Sequence, residues 1–154
     1  MIELSDPAWD SLRSHCRTGK EIRAMLSEYE SRGFPERDDL YEDLLDLGCG
    51  GQFYAAAYAS APHLVRLAQL APPLKAAILL NTVAATIHFA GREGSDPVDE
   101  SFRADFPKVS AEAWSIAQQV VDQVEDSMEA RQLRLSMALF QGDESAYERG
   151  IEEI

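Results

Sequence analysis

Apolar residues recur along this chain at three- and four-residue steps, the spacing that gathers them on one face of a helix. Sustained alternation with polar residues is absent, so no strand is expected. Asp6-Pro7 reads as an N-cap followed by a first-turn proline, opening a short helix through Leu12. Thr18-Gly19-Lys20-Glu21 has capping-box spacing, with Ile22, Met25, Leu26 and Tyr29 on one face; that helix should reach Ser31 and stop at Gly33. Phe34-Pro35-Glu36 opens a third helix carrying Leu40, Tyr41, Leu44, Leu45 and Leu47, ended by Gly48-Cys49-Gly50-Gly51.

From Phe53 the pattern turns small and apolar, with Tyr54, Ala57, Tyr58, Ala61, Leu64, Val65 and Ala68 in helical register and Pro62 either kinking or splitting the run. Pro72-Pro73 starts a helix from Leu74 to Gly91, apolar around most of its circumference and therefore central. Residues 92–109, with Gly94, Pro97 and Pro107, read as an insertion with one helical turn near Asp99–Arg103. Ser110 caps a helix to Asp126 with Ala113, Trp114, Ala117, Val120, Val121 and Val124 inward. Another runs from Glu129 to Phe140, and Gly142-Asp143 leads into the last. An offset of 56 residues pairs Tyr58 with Trp114, Leu64 with Val120 and Leu79 with Leu135, as tandem helical hairpins would. The expectation is one all-α domain over residues 1–154, built of antiparallel helical hairpins.

The chain has 154 residues, of which 45% are hydrophobic, so it can bury a core without staples. Its 14 Lys and Arg face 27 Asp and Glu, a formal net charge of −13 that excludes a basic nucleic-acid footprint. Cys16 and Cys49 stand in unlike contexts and suit reduced thiols. No basic n-region precedes an apolar stretch at the start, and the longest apolar run, Ala76 to Ala90, is too short and polar to span a bilayer. A cytoplasmic protein, away from membranes, is expected.

Catalytic motifs are missing: no Gly-x-Ser-x-Gly elbow, no phosphate loop, no Cys-x-x-Cys pair. Neither a cofactor nor a metal is expected, since the acidic residues of the third helix lack the Gly-centred spacing of a calcium loop and His15-Cys16 point to different helix faces. Those acidic residues are Glu36, Asp38, Asp39, Glu42, Asp43 and Asp46, offset only by Arg37. They form either a solvated face or a docking surface for a basic partner. On the central helix Asn81, Ala85, His88 and Arg92 share a face. With Gln52, Tyr54 and Tyr58 they would line a groove, although satisfied core contacts explain Asn81 and His88 equally well. His63 is expected at the surface. Phe102 and Phe106 either fold back as a lid or stay exposed as anchors.

The stretch Gly51-Gln52-Phe53-Tyr54-Ala55-Ala56-Ala57-Tyr58-Ala59-Ser60-Ala61-Pro62-His63-Leu64-Val65 resembles bacterial HEAT-like helical-repeat proteins. In those, a Gly- and Tyr-containing turn opens a small-residue helix followed by a proline and an apolar pair. Leu135 to Asp143 is similar to a helix end and Gly-Asp turn common there, so the resemblance covers Leu40–Arg92 and Leu133–Ile151. Where such proteins often carry His-Gln-Gly, this chain reads Gly50-Gly51-Gln52. The resemblance implies a HEAT-like α-α superhelix used for protein binding, and small acidic members are often immunity partners of bacterial toxins. The expected function is a non-catalytic, immunity-type protein that blocks a basic toxin, such as a nuclease, through its acidic face. A scaffold subunit with an endogenous partner, or a small enzyme using the polar face of the central helix, are the alternatives.

Overall fold

The computed structural model describes residues 1–35, 39–125 and 127–153. Helices dominate, as the periodicity requires. A 3-10 turn at Pro7–Ser11 is followed by α1 (Gly19–Arg32), α2 (Leu40–Leu45), α3 (Ala55–Leu70), α4 (Pro73–Phe89), α5 (Glu100–Val120), α6 (Met128–Phe140) and α7 (Glu144–Ile151). The local caps act where the sequence places them. Asp6 accepts from the Ala8 amide, Thr18 and Glu21 close a capping box, and Gly33 at φ 72° ends α1. Asp143 accepts from the Ala146 amide at the start of α7.

From α3 onward each helix packs on the next, and α4 is the hub, packed against α2, α3, α5 and α6. Packing α3 on α5 and α4 on α6 places like against like from two successive hairpins, the arrangement the 56-residue echo suggests. Small side chains on α3 (Ala56, Ala57, Ala61) meet Leu79, Leu80 and Val83 of α4 in a core where all six are fully buried. Helix α3 runs unbroken through Pro62. No helix among the described residues is long and apolar enough to cross a membrane.

Three expectations are corrected. A two-stranded hairpin, β1 (Gly48–Cys49) with β2 (Gln52–Phe53), lies where no strand was expected. Gly50 and Gly51 adopt φ 59° and 78°, the double left-handed turn whose twist suits a tight hairpin, and two residues per strand are too few to register as alternation. The insertion shrinks as well, because its second half is the start of α5, capped by Asp99 rather than Ser110. Pro107 is tolerated inside that helix because both it and Arg103, whose carbonyl loses its amide, lie at the solvent surface, where water serves as donor. The helix also ends at Val120, short of the expected end near Asp126, which itself lies outside the described residues. Finally, α2 as described starts at Leu40, with the expected opening at Glu36 also outside them.

The remaining connection is stitched down. The Asp96 carboxylate accepts from the Ala55 amide (3.1 Å) and pairs with Arg13 (3.3 Å), supplying from a distance the cap that Tyr54 does not give α3. Ser95 Oγ accepts from the Phe53 amide at 2.9 Å. Phe102 and Phe106 fold back onto Tyr58, at ring-centroid distances of 6.2 and 6.3 Å.

Candidate functional site

The acidic stripe divides into two parts. Asp43 and Asp46 turn inward to Arg17: Nη2 lies 2.8 Å from Asp43 Oδ1 and Nε lies 2.6 Å from Asp46 Oδ2. The Tyr29 hydroxyl donates to the other Asp43 oxygen at 2.9 Å. These two carboxylates tie α2 to the segment just before α1 and, through Tyr29, to α1 itself, and a partner would have to break internal ion pairs to reach them. Asp39 and Glu42 are exposed, without an ion pair among the described residues. Glu36 and Asp38 lie outside the described residues.

Gln52, Tyr54, Tyr58 and His88 do not converge on one groove. Tyr58 is 1% exposed, and its hydroxyl sits 2.7 Å from the Asp96 carbonyl and 3.1 Å from the Phe53 carbonyl while accepting from the Gly91 amide. Burial lifts its phenol above the ordinary value, keeping it a neutral donor. Tyr54 is buried beneath Arg13, 4.6 Å from its ring centre, and stacks on His15. Gln52 stays exposed on β2.

The polar face of α4 is present but turns toward α6 and α7. Asn81 donates to the Glu129 carbonyl (3.2 Å) and accepts from Ser136 Oγ (2.8 Å), so its amide is satisfied. Together with Ile78, Ala85 and Leu135 it lines a cleft of about 210 Å³ between α2, α4, α6 and α7, beside Tyr41 and Leu45. Tyr41 and Leu45 are 53% and 49% exposed, four residues apart on one face of α2. Helical spacing put both on this helix without deciding which of its edges meets the core. Glu42 stands next to them and Glu129 borders the cleft, neither ion-paired among the described residues.

Beyond this cleft, His88 meets two carboxylates that sequence reasoning missed. Its side chain is buried against Phe89 and Tyr147, with ring centres 4.6 and 4.9 Å away. Nδ1 has no hydrogen-bond partner and lies 3.3 Å from Glu144 Oε1; Nε2 lies 4.0 Å from Glu148 Oε1. Arg92 Nη2 bridges the same carboxylates, 2.5 Å from Glu144 and 2.9 Å from Glu148. Burial first, then the Arg92 guanidinium, hold the imidazole below its ordinary range, against the pull of both glutamates. The Tyr147 phenol is pushed up to about 12 by burial. The available signal was the Glu144-x-x-x-Glu148 spacing on one face of the last helix.

His63 is a core residue instead of a surface one. It is fully buried, its Nε2 donates to the Ile2 carbonyl (2.8 Å), and its Nδ1 accepts from Arg66 (2.6 Å). Burial first holds it below its ordinary value, joined by Arg66 and opposed by the Ile2 carbonyl and Glu30. A second proton would have to sit on Nδ1, facing a guanidinium. The unfolded chain therefore binds that proton near pH 6.5 and the folded chain only lower, so this contribution to stability is complete above pH 6.5 and falls as the pH drops below it. Urea denaturation of the protein and of His63→Gln at pH 8 and pH 5 checks this: the parent should lose more stability on acidification than the variant. Equal losses would place the titration elsewhere.

Cys16 and Cys49 are both exposed free thiols. Comparison with family models, with curated proteins and with solved structures finds no match for this chain.

Proposed function

We propose that this chain is a non-catalytic protein-binding module of the immunity type, which docks a basic partner such as a toxin over the α2/α4/α6/α7 cleft. The observation that carries the reading is the pair Tyr41 and Leu45, large apolar side chains held in solvent at the mouth of that cleft. Aromatic and aliphatic anchors beside a preformed depression are what protein interfaces use for affinity. At about 210 Å³ the cleft is below the roughly 300–1,000 Å³ of small-molecule sites, and it suits inserted side chains better than a cofactor.

Charge supplies partner class and encounter rate. A net charge of −13 draws a cationic protein over long range, and Glu42 beside the anchors, Glu129 at the cleft and Asp39 one residue before α2 carry no ion pair among the described residues. The acidic surface is thus smaller than the full stripe, since Asp43 and Asp46 belong to Arg17.

Co-purification of the tagged protein from its native cells, at low and high salt, tests the reading. A basic partner should be held at low salt and shed at high salt. Tyr41→Ala with Leu45→Ala should then weaken its affinity by about tenfold or more, and Asp39→Lys with Glu42→Lys should slow association. A partner bound equally well by both double variants would remove this face from the interface.

A further inference from the structure

We propose that His88, Glu144 and Glu148 form a binding site for a divalent first-row transition ion, zinc fitting best, that clamps α7 to the end of α4. One ligand atom from each residue lies within 4.8 Å of the others. The 3.3 Å between His88 Nδ1 and Glu144 Oε1 is close to the separation of two ligands on a tetrahedral ion with bonds of about 2.0–2.1 Å. Glu148 Oε1 lies 4.0 Å from the other ring nitrogen, Nε2, and its half-exposed side chain has to swing from Arg92 toward Nδ1 to complete the set.

The independent pointer to a ligand is Nδ1 itself. His88 is 4% exposed, and its Nδ1 is the single buried side-chain nitrogen or oxygen without a hydrogen bond among the described residues. Buried polar atoms are rarely left so, and each needs an explanation. Arg92 satisfies the two carboxylates but leaves Nδ1 unpartnered; an ion held by all three residues satisfies every group at once. The guanidinium marks where positive charge is favoured, and its side chain, 42% exposed, can turn to solvent when an ion takes that place. An imidazole with two carboxylates suits zinc over magnesium or calcium, which prefer oxygen alone. Three protein ligands leave a position for water.

Zinc ion titrated calorimetrically into the Cys16→Ser, Cys49→Ser protein, where the exposed thiols no longer compete, should bind one ion per chain and raise Tm. Glu144→Gln with Glu148→Gln, at positions exposed enough to leave the fold intact by circular dichroism, should weaken binding by at least about tenfold. Arg92→Ala should tighten it by about threefold or more, since the competing cation is gone. Cobalt substituted for zinc should show tetrahedral visible absorption that the double glutamine variant lacks. Absence of saturable binding, an affinity unchanged by the glutamine pair, or a weaker affinity in Arg92→Ala would each overturn the site.

Discussion

Gly19→Ala should destabilise the protein by about 3 kcal/mol, although alanine is by far the better helix former. A Cβ at Gly19 would stand 2.0 Å from the Trp9 carbonyl oxygen and 2.8 Å from that of Leu12. Both are backbone atoms that cannot rotate away. Each is also engaged: the Leu12 amide donates to Trp9 and the Gly19 amide to Leu12, both at 3.1 Å. Trp9 is fully buried, with its indole nitrogen donating to the Glu3 carbonyl, so retreat of that turn would open the core beneath α1 and α3. The propensity gain is at most about 1 kcal/mol and is lost in the clash. A urea melt should show the midpoint collapse. Gly33→Ala isolates backbone strain from steric clash: nothing stands within 4 Å of its Cβ, but φ +72° with ψ −153° is a conformation almost reserved to glycine, so it should cost about 1–3 kcal/mol by itself. Equal, small effects at the two glycines would mean that the Trp9 turn is not anchored as described.

The second large effect concerns Tyr58→Phe, expected to cost about 2 kcal/mol. The ring would keep its place beside Phe102 and Phe106, so packing is nearly unchanged. Only the oxygen goes, and with it the links from α3 to the Asp96 carbonyl and the Gly91 amide. Phe53 O retains the Asp96 amide, whereas the Asp96 carbonyl and the Gly91 amide lose the partner described here. Two ordinary hydrogen bonds at about 1 kcal/mol each account for the loss, since Gly91 is exposed and Asp96 half-buried and neither is fully desolvated. Amide exchange across residues 91–96 should speed up in the variant along with the lower urea midpoint. A loss under about 0.5 kcal/mol would show that water replaces the hydroxyl.

Tyr58 also shows why the candidate site was only partly legible. Its helical register placed it correctly on α3, but register does not say whether a face meets solvent or the connection 91–99. Asp43 and Asp46 share that difficulty, since their cation, Arg17, lies 26 residues from Asp43. His63 was misplaced because its carbonyl partner belongs to Ile2, 61 residues away. Tyr41 and Leu45 show the converse: α2 is so short that one apolar edge faces the core through Leu40 and Leu44 while the other stays in solvent.

What the sequence determined by itself was therefore most of what is settled within one helical turn, the equally local Gly50–Gly51 hairpin and Asp99 cap excepted. Pro7 after Asp6, the Thr18–Glu21 box, Gly33 and Asp143 act through bonds two to four residues long, and their chemistry reads directly from residue order. The all-α class follows from the same short-range periodicity. The tertiary structure alone decided which carboxylates are free, where the apolar cleft opens, and that His88 meets Glu144 and Glu148. These depend on packing between segments tens of residues apart, whose relative placement is set by the shared core around α4 and has no local signature in the chain.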